Sequence, residues 1–138
     1  MPVGYSGTQL VKKLGIKSGF KVRILNPPDN YLQLLGKLPE DVTIAKQLRG
    51  PLDFIHFFTK ESSALVQRSP KLKKALDFQG MLWISWPKKA SKVPTDMNEN
   101  LVREIGLSNG LVDVKVAAID EVWSGLKFVY RLEDRPKS

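Results

Sequence analysis

The sequence predicts a three-layer α/β sandwich with a mostly parallel sheet and a C-terminal antiparallel strand pair. Two short apolar runs, 52–58 and 81–86, each stop at a polar or proline-bearing turn, which is typical of central strands covered on both faces. Segments with helical spacing follow each run, as expected for parallel strands joined by helices. The alternating segments 112–118 and 126–132 instead predict two paired strands joined around residues 120–121.

Length and charge limit the organisation of the chain and its partners. The 138 residues, 42% of them apolar, suffice for one core and leave no room for a second, so we expect a single domain over 1–138. Twenty-two Lys and Arg against fourteen Asp and Glu give a net charge of +8. This excess favours anionic metabolites, acidic protein surfaces or nucleic acid without choosing among them.

Composition also argues against several kinds of site and location. The chain has no cysteine and one histidine, so we predict neither a disulfide nor a bound metal. It shows no secretory signal and no segment long enough to span a membrane, which makes a cytoplasmic protein the expectation.

The first half is predicted to alternate short elements. A helix ends at Gly15, where glycine supplies the left-handed residue that closes a helix. A strand over 20–25 ends at the turn 26–30, whose two prolines cannot continue a central strand. A brief helix ending near Gly36 and a short edge strand over 42–45 follow.

The second half is predicted to contain two longer helical regions. Thr59 is placed to cap the first, which carries Leu76 and which we expect to break into two pieces at Ser69-Pro70. The second is expected to begin near Thr95 or Asp96, where an acid followed three residues later by Glu99 resembles a capping box.

The basic turn after the second apolar run is the predicted binding site. In a parallel sheet it lies at the carboxyl ends of the strands, where open α/β folds bind ligands. Lysine ammonium groups, a serine hydroxyl and backbone donors suit a phosphate or carboxylate, and a tryptophan can stack on a ring. The candidate residues, including two at neighbouring strand ends, are Asn26, Thr59, Trp86, Lys88, Lys89 and Ser91. Solvated lysines, a core tryptophan, a turn and a helix cap are the simpler interpretation.

No arrangement of residues predicts catalysis. His56 lies on an apolar strand, away from any arrangement of serine and acid that suggests a triad, which favours a satisfied core or surface histidine over a base. Asp113 and Asp120 are separated along the terminal strand pair, and Trp123 beside Gly125 is typical of packing. We therefore predict no catalytic residue and no cofactor.

Nucleic-acid binding is the weaker of the charge-based hypotheses. Lysines 12, 13 and 17 together with lysines 71, 73 and 74 would form a stripe only if two helices lay side by side. The sequence shows no known nucleic-acid module, so an anionic small molecule or a protein partner is preferred.

Several motifs together resemble a family of small bacterial proteins known only as a domain of unknown function. The resemblance covers nearly the whole chain and implies no catalytic residues. Its motifs are Gly4-Tyr5-Ser6-Gly7-Thr8, Lys13-Leu14-Gly15-Ile16, Trp86-Pro87-Lys88-Lys89, Gly110-Leu111-Val112-Asp113 and Trp123-Ser124-Gly125-Leu126-Lys127-Phe128.

The order of elements more distantly resembles the Rossmann-like core of class I methyltransferases. Residues 52–55 are similar to the fourth strand of that core, 80–84 to the fifth, and the terminal pair to the sixth and seventh. The resemblance implies that the last strand inserts antiparallel into the sheet. However, the turn 26–30 has no glycine to cradle the cofactor, and Lys46 and Gln47 follow the second strand where an acid should hold its ribose.

These departures favour a noncatalytic domain that binds an anionic small molecule or a protein partner. A reduced methyltransferase-like enzyme and a basic nucleic-acid-binding protein are the alternatives. An empty cofactor-sized pocket beside Asn26 would favour the enzyme.

Overall fold

A computed structural model describes residues 9–136 and shows a mixed six-stranded sheet with helices on both faces. This arrangement confirms the predicted α/β class. The elements in chain order are α1 (Leu10–Leu14), β1 (Lys21–Leu25), α2 (Tyr31–Leu35), β2 (Thr43–Ile44), β3 (Leu52–Phe58), α3 (Ser62–Ala75), β4 (Leu76–Pro87), α4 (Glu99–Ser108), β5 (Leu111–Ala118) and β6 (Trp123–Tyr130). The motif at residues 4–8 lies outside the described residues.

The sheet has the strand order β2-β1-β3-β4-β6-β5. The first four strands run parallel, while β6 lies antiparallel between β4 and β5. The last strand therefore inserts into the sheet as the methyltransferase resemblance implies. Strand β2 is two residues long and lies at the edge, as its brevity predicts.

Two apolar layers hold the helices to the sheet. On the first face, Leu65 and Leu72 of α3 and Val102 of α4 are buried against the strands. On the second face, Leu14 of α1 and Tyr31 of α2 are buried. Strand β3 contributes to both layers, with Ile55 and Phe57 in the first and Phe54 and Phe58 in the second, which explains why this strand reads as an almost uninterrupted apolar run.

Helix α3 is one continuous helix, although a break at Ser69-Pro70 is expected from the sequence. The ring of Pro70 is exposed, and proline removes the amide that would bond the carbonyl of Val66, which also lies on the exposed side. The Ser69 hydroxyl donates to the carbonyl of Leu65 at 2.6 Å, which adds a bond in the same turn. The solvent-facing proline is thus accommodated without breaking the helix.

Helices α3 and α4 are capped by residues other than those predicted from the sequence. Asn98 caps α4 by accepting from the amide of Leu101, whereas Asp96 accepts from the amide and hydroxyl of Ser62 at the start of α3, at 2.8 and 2.5 Å. Asp96 therefore serves a helix distant in sequence, which a local capping pattern does not reveal. Thr59 precedes the α3 N-cap residue, Glu61, by two positions.

Two strands differ from the alternating pattern of the sequence. Strand β4 begins at Leu76, which the sequence assigns to the preceding helix. In β5 the register with β6 shifts between Asp113 and Lys115, and Val114 and Val116 are about half exposed. This bulge prevents the valines of β5 from forming one buried row.

Within residues 9–136, none of the helices combines the length and apolar character needed to cross a lipid bilayer.

Candidate functional site

The candidate site lies where the direction of the parallel strand order reverses, between β1 and β3. Helix α2 connects β1 to β2 on the second face, and α3 connects β3 to β4 on the first. Such a switch point opens a crevice outside the carboxyl ends of the two strands, where α/β proteins bind ligands. Asn26 and Thr59 follow these two strands directly.

A cavity of about 310 Å³ lies beside the end of β1. Its volume is at the lower end of the range for small-molecule sites. The cavity is lined by Ile24, Pro27, Pro28, Asp29, Tyr31, Leu32 and Ile44. Among these lining residues, Asp29 is the one with a charged side chain, and most of the others are apolar.

Asn26 gives the turn beside the cavity its shape without glycine. Its φ of 56° places the residue in the left-handed region, which asparagine tolerates better than most residues. Pro27 and Pro28 then lack amide hydrogens, so this turn cannot cradle an anion with consecutive backbone donors. The turn instead presents proline rings and the Asp29 carboxylate.

Tyr31, a wall of the cavity, is held from behind by a buried hydrogen-bond chain. Its hydroxyl and Nδ1 of His56 are 2.7 Å apart and hydrogen-bonded, and Nε2 of His56 is hydrogen-bonded to Oγ of Ser85 at the same distance. The imidazole also stacks on Phe58 with ring centroids 4.1 Å apart. The three residues of the chain come from α2, β3 and β4, so it fixes the cavity wall to two central strands.

Burial keeps the hydrogen-bonded side chains of Tyr31 and His56 uncharged. It lowers the pKa of His56 to about 3 and raises the pKa of Tyr31 far above its ordinary value. At neutral pH the imidazole is therefore neutral and can donate from one nitrogen and accept at the other. A fully buried neutral histidine of this kind agrees with the core histidine that the sequence predicts.

The residues of the basic turn make mainly internal contacts. Trp86 is 5% exposed and belongs to the first apolar layer. The Lys88 ammonium donates to the carbonyl of Asp120 at 2.7 Å, and the Ser91 hydroxyl donates to the carbonyl of Lys88 at 2.6 Å. Lys89 is exposed in the short 3-10 turn that follows.

The other two predicted site residues lie at the same edge of the sheet. The Thr59 amide donates to the carbonyl of Ser85, and its hydroxyl bonds the backbone of Glu61. Among residues 9–136, no hydrogen bond joins Asn26 or Thr59 to residues 88–91. The fold thus brings the strand ends to one edge, and the cavity lies beside the turn that follows β1, with Pro27 rather than Asn26 in its lining.

Sequence reasoning did not select the side chains that line the cavity. Asp29 lies in a turn where an acid is ordinary, and Tyr31 reads as a core residue of a short helix. Ile44 is 43% exposed although it sits on a strand, which a burial pattern does not anticipate. Their positions in the sequence could have indicated them, since Asp29 and Tyr31 follow β1 and Ile44 ends β2, beside the switch point.

Comparison with solved structures shows the fold. The chain is similar to a SAM-dependent methyltransferase from Aquifex aeolicus, with 14% identity, a TM-score of 0.58 and 87% of each chain covered. It is also similar to a ribosomal protein L11 methylase from Lactobacillus delbrueckii subsp. bulgaricus, with 13% identity and a TM-score of 0.57 over 88% of this chain and 75% of that one. A TehB-like SAM-dependent methyltransferase from Corynebacterium glutamicum shares 10% identity and a TM-score of 0.55, over 93% and 90% of the two chains.

No family model matches the chain, and no curated protein matches it. The structural similarities show a methyltransferase-like, Rossmann-like fold. The resemblance to a family of unknown function stays a prediction. Identities this low carry the architecture alone.

Proposed function

We propose that the protein binds a nucleoside-type small molecule of the S-adenosylmethionine class in the cavity beside Asn26. The observation that carries this proposal is the cavity itself, which lies at the carboxyl edge of β1 in a methyltransferase-like sheet. A pocket at this place supports the methyltransferase-like alternative over a domain without a ligand pocket.

The lining suits one end of such a ligand. The rings of Pro27 and Pro28 and the side chain of Ile44 offer flat apolar surface to a base. The Asp29 carboxylate can accept hydrogen bonds from ribose hydroxyls, a role that Lys46 and Gln47 after β2 cannot fill as an acid would. In the proposed site, the acid therefore comes from the turn after β1 rather than from the end of β2.

Charge at the cavity separates this ligand class from phosphorylated ones. A carboxylate at the wall repels a phosphate, and the two prolines remove the backbone donors that a phosphate needs. We therefore expect neutral or cationic nucleosides to bind better than nucleotides.

The hypothesis of an anionic ligand at the basic turn remains a competing prediction. Its candidate residues are Trp86, Lys88, Lys89 and Ser91, with Thr59 nearby. Internal contacts occupy the indole, the Lys88 ammonium and the Ser91 hydroxyl, which leaves Lys89 as the exposed charge of the set. This is why the cavity is preferred.

The test is calorimetric titration of the purified protein with S-adenosylmethionine, S-adenosylhomocysteine and adenosine. Leu32→Arg places a long charged side chain at the rim, and Leu32 is exposed enough to tolerate it. Asp29→Asn removes the accepting charge. We expect Asp29→Asn to weaken binding by about tenfold or more, because a hydrogen bond to a charged group contributes roughly 1.5–3 kcal/mol. Leu32→Arg should also weaken binding, because the longer side chain obstructs the cavity.

Val66→Arg is the matched control, since Val66 is similarly exposed on α3 and far from the cavity lining. It should leave the affinity unchanged. Absence of binding by all three compounds would reject the proposal. Binding of a nucleotide that Lys89→Ala abolishes would instead favour the basic turn.

A further inference from the structure

Four lysines gather on the second face of the sheet, beside the end of α1. Lys127 of β6 stands directly opposite Lys115 of β5 in the antiparallel register. Lys13 lies on α1 and Lys17 just beyond it. These residues, Lys13, Lys17, Lys115 and Lys127, form what we call the lysine cluster.

Short contacts hold the cluster together. The ammonium of Lys13 donates to the carbonyl of Ala118 at 2.8 Å, and that of Lys115 donates to the carbonyl of Lys13 at 3.1 Å. A Cβ at Gly15 would lie 3.9 Å from Nζ of Lys127, which places that ammonium against the end of α1. Each ammonium has three donors, so the bonded ones keep donors for a ligand.

Among residues 9–136, no salt bridge joins a carboxylate to any of these four lysines. The two salt bridges among residues 9–136 both use Arg103, one with Glu99 and one with Asp113. The remaining residues, 1–8 and 137–138, contain neither aspartate nor glutamate. The positive charge of the lysine cluster is therefore left to solvent or to a bound anion.

The arrangement costs stability in the absence of an anion. Like charges directly opposite each other on paired strands are destabilising. Partial burial, together with the charges of Lys115 and Lys17, lowers the pKa of Lys127, as expected for an ammonium group beside like charges. An anion at this point would relieve the repulsion among all the ammonium groups.

We propose that the lysine cluster binds phosphate groups of a polyanion. Ammonium groups gathered on one face of the sheet are point charges suited to phosphate, which offers several oxygens to them. The four lysines lie on β5, β6, α1 and the segment just after α1, whereas the nucleoside cavity is lined by β1, α2, β2 and the turn after β1, so the two sites share no residue. The phosphates come either from a free oligophosphate or from a nucleic-acid backbone.

The experiment compares two doubly substituted proteins with the same loss of charge. Lys115→Gln with Lys127→Gln removes the facing pair, while Lys71→Gln with Lys74→Gln removes two exposed lysines of α3, which packs on the opposite face. Binding is measured by calorimetry with pyrophosphate and by fluorescence anisotropy with a short labelled single-stranded oligonucleotide. We expect the first variant to lose about tenfold or more in affinity and the second to change little.

The two probes distinguish the source of the phosphate. Pyrophosphate binding that disappears in the first variant indicates a free oligophosphate, and oligonucleotide binding alone indicates a backbone. Equal losses in both variants would show a diffuse effect of net charge and overturn the proposal. So would the failure of the unaltered protein to bind either probe.

Melting temperature separates ligand binding from a structural role. Without probe, the Lys115 and Lys127 variant should melt no lower than the unaltered protein, because loss of the repulsion between the facing lysines offsets loss of the exposed bond from Lys115 to Lys13. It should also lose the rise in melting temperature that the probe produces. A lower melting temperature with undiminished probe affinity would mean that these lysines only hold α1 to the sheet.

Discussion

A buried imidazole at His56 links the cavity wall to the centre of the sheet. Its two nitrogens are both hydrogen-bonded, to Tyr31 and Ser85, so the side chain is accommodated without charge. An apolar residue at this position would leave two buried hydroxyls without their partner. The polar residue on an otherwise apolar strand is thus explained by its contacts with two other elements.

The low pKa of His56 predicts a loss of stability in mild acid. The unfolded chain takes up a proton near pH 6.5, whereas the folded protein does so only near pH 3. Between these values the unfolded state binds more protons, so the free energy of unfolding falls as pH falls. From pH 7 to pH 5 we expect a decrease of about 2 kcal/mol, measured by urea unfolding at each pH.

The His56→Gln variant provides the control for this prediction. It lacks the titrating group and should show a flatter dependence on pH over the same interval, whatever its absolute stability. An equal pH dependence in both proteins would assign the effect to other residues.

At the scale of elements, α4 approaches the sheet through a glycine. A Cβ at Gly106 would overlap the ring of Phe128, which is fully buried on β6. The helix can therefore lie close to the strand only without a side chain at this position. The sequence shows Gly106 inside a helical pattern, where glycine is otherwise unfavourable.

Gly106→Ala is expected to destabilise the protein although alanine favours helices. Forcing a methyl group into a packed interface costs about 1–3 kcal/mol, which exceeds the helix propensity gained, about 1 kcal/mol. The matched control is Ser108→Ala, an exposed position of the same helix, which should change stability little. Chemical unfolding of both variants measures the difference, and a more stable Gly106→Ala protein would contradict this packing.

At the scale of the whole molecule, two apolar layers share one sheet. Buried residues of β3 and β4 contribute to both layers, so loss of either layer exposes the strands that support the other. Separation into independently folding parts is therefore disfavoured.

We expect one cooperative unfolding transition seen equally from both faces. Trp83 is buried in the second layer and Trp86 in the first. In a Trp123→Phe background, single Trp83→Phe and Trp86→Phe variants would report each layer by fluorescence in urea, with circular dichroism as the common reference. Within each variant the two signals should coincide, and a fluorescence midpoint separate from that of circular dichroism would indicate a second folding unit.

The sequence alone determined the class of fold, the central strands and the terminal strand pair. Apolar runs such as 52–58 and turns such as 26–30 act locally, and their burial and backbone requirements are visible in the order of residues. The continuity of α3 through Pro70 was not predictable in this way, because it depends on which side of the helix faces solvent. The bulge at Val114 likewise depends on the partner strand.

Only the tertiary structure decided the candidate sites. The cavity brings together Asp29 of a turn, Tyr31 of α2 and Ile44 of β2. The lysine cluster brings together residues more than a hundred positions apart, as the bond from Lys115 to Lys13 shows. Sequence spacing does not reveal which of these residues lie close together in the fold, since their proximity follows from strand order and crossover direction. For the same reason the sequence could point to the edge of the sheet where ligands bind, but not to the side chains that would bind them.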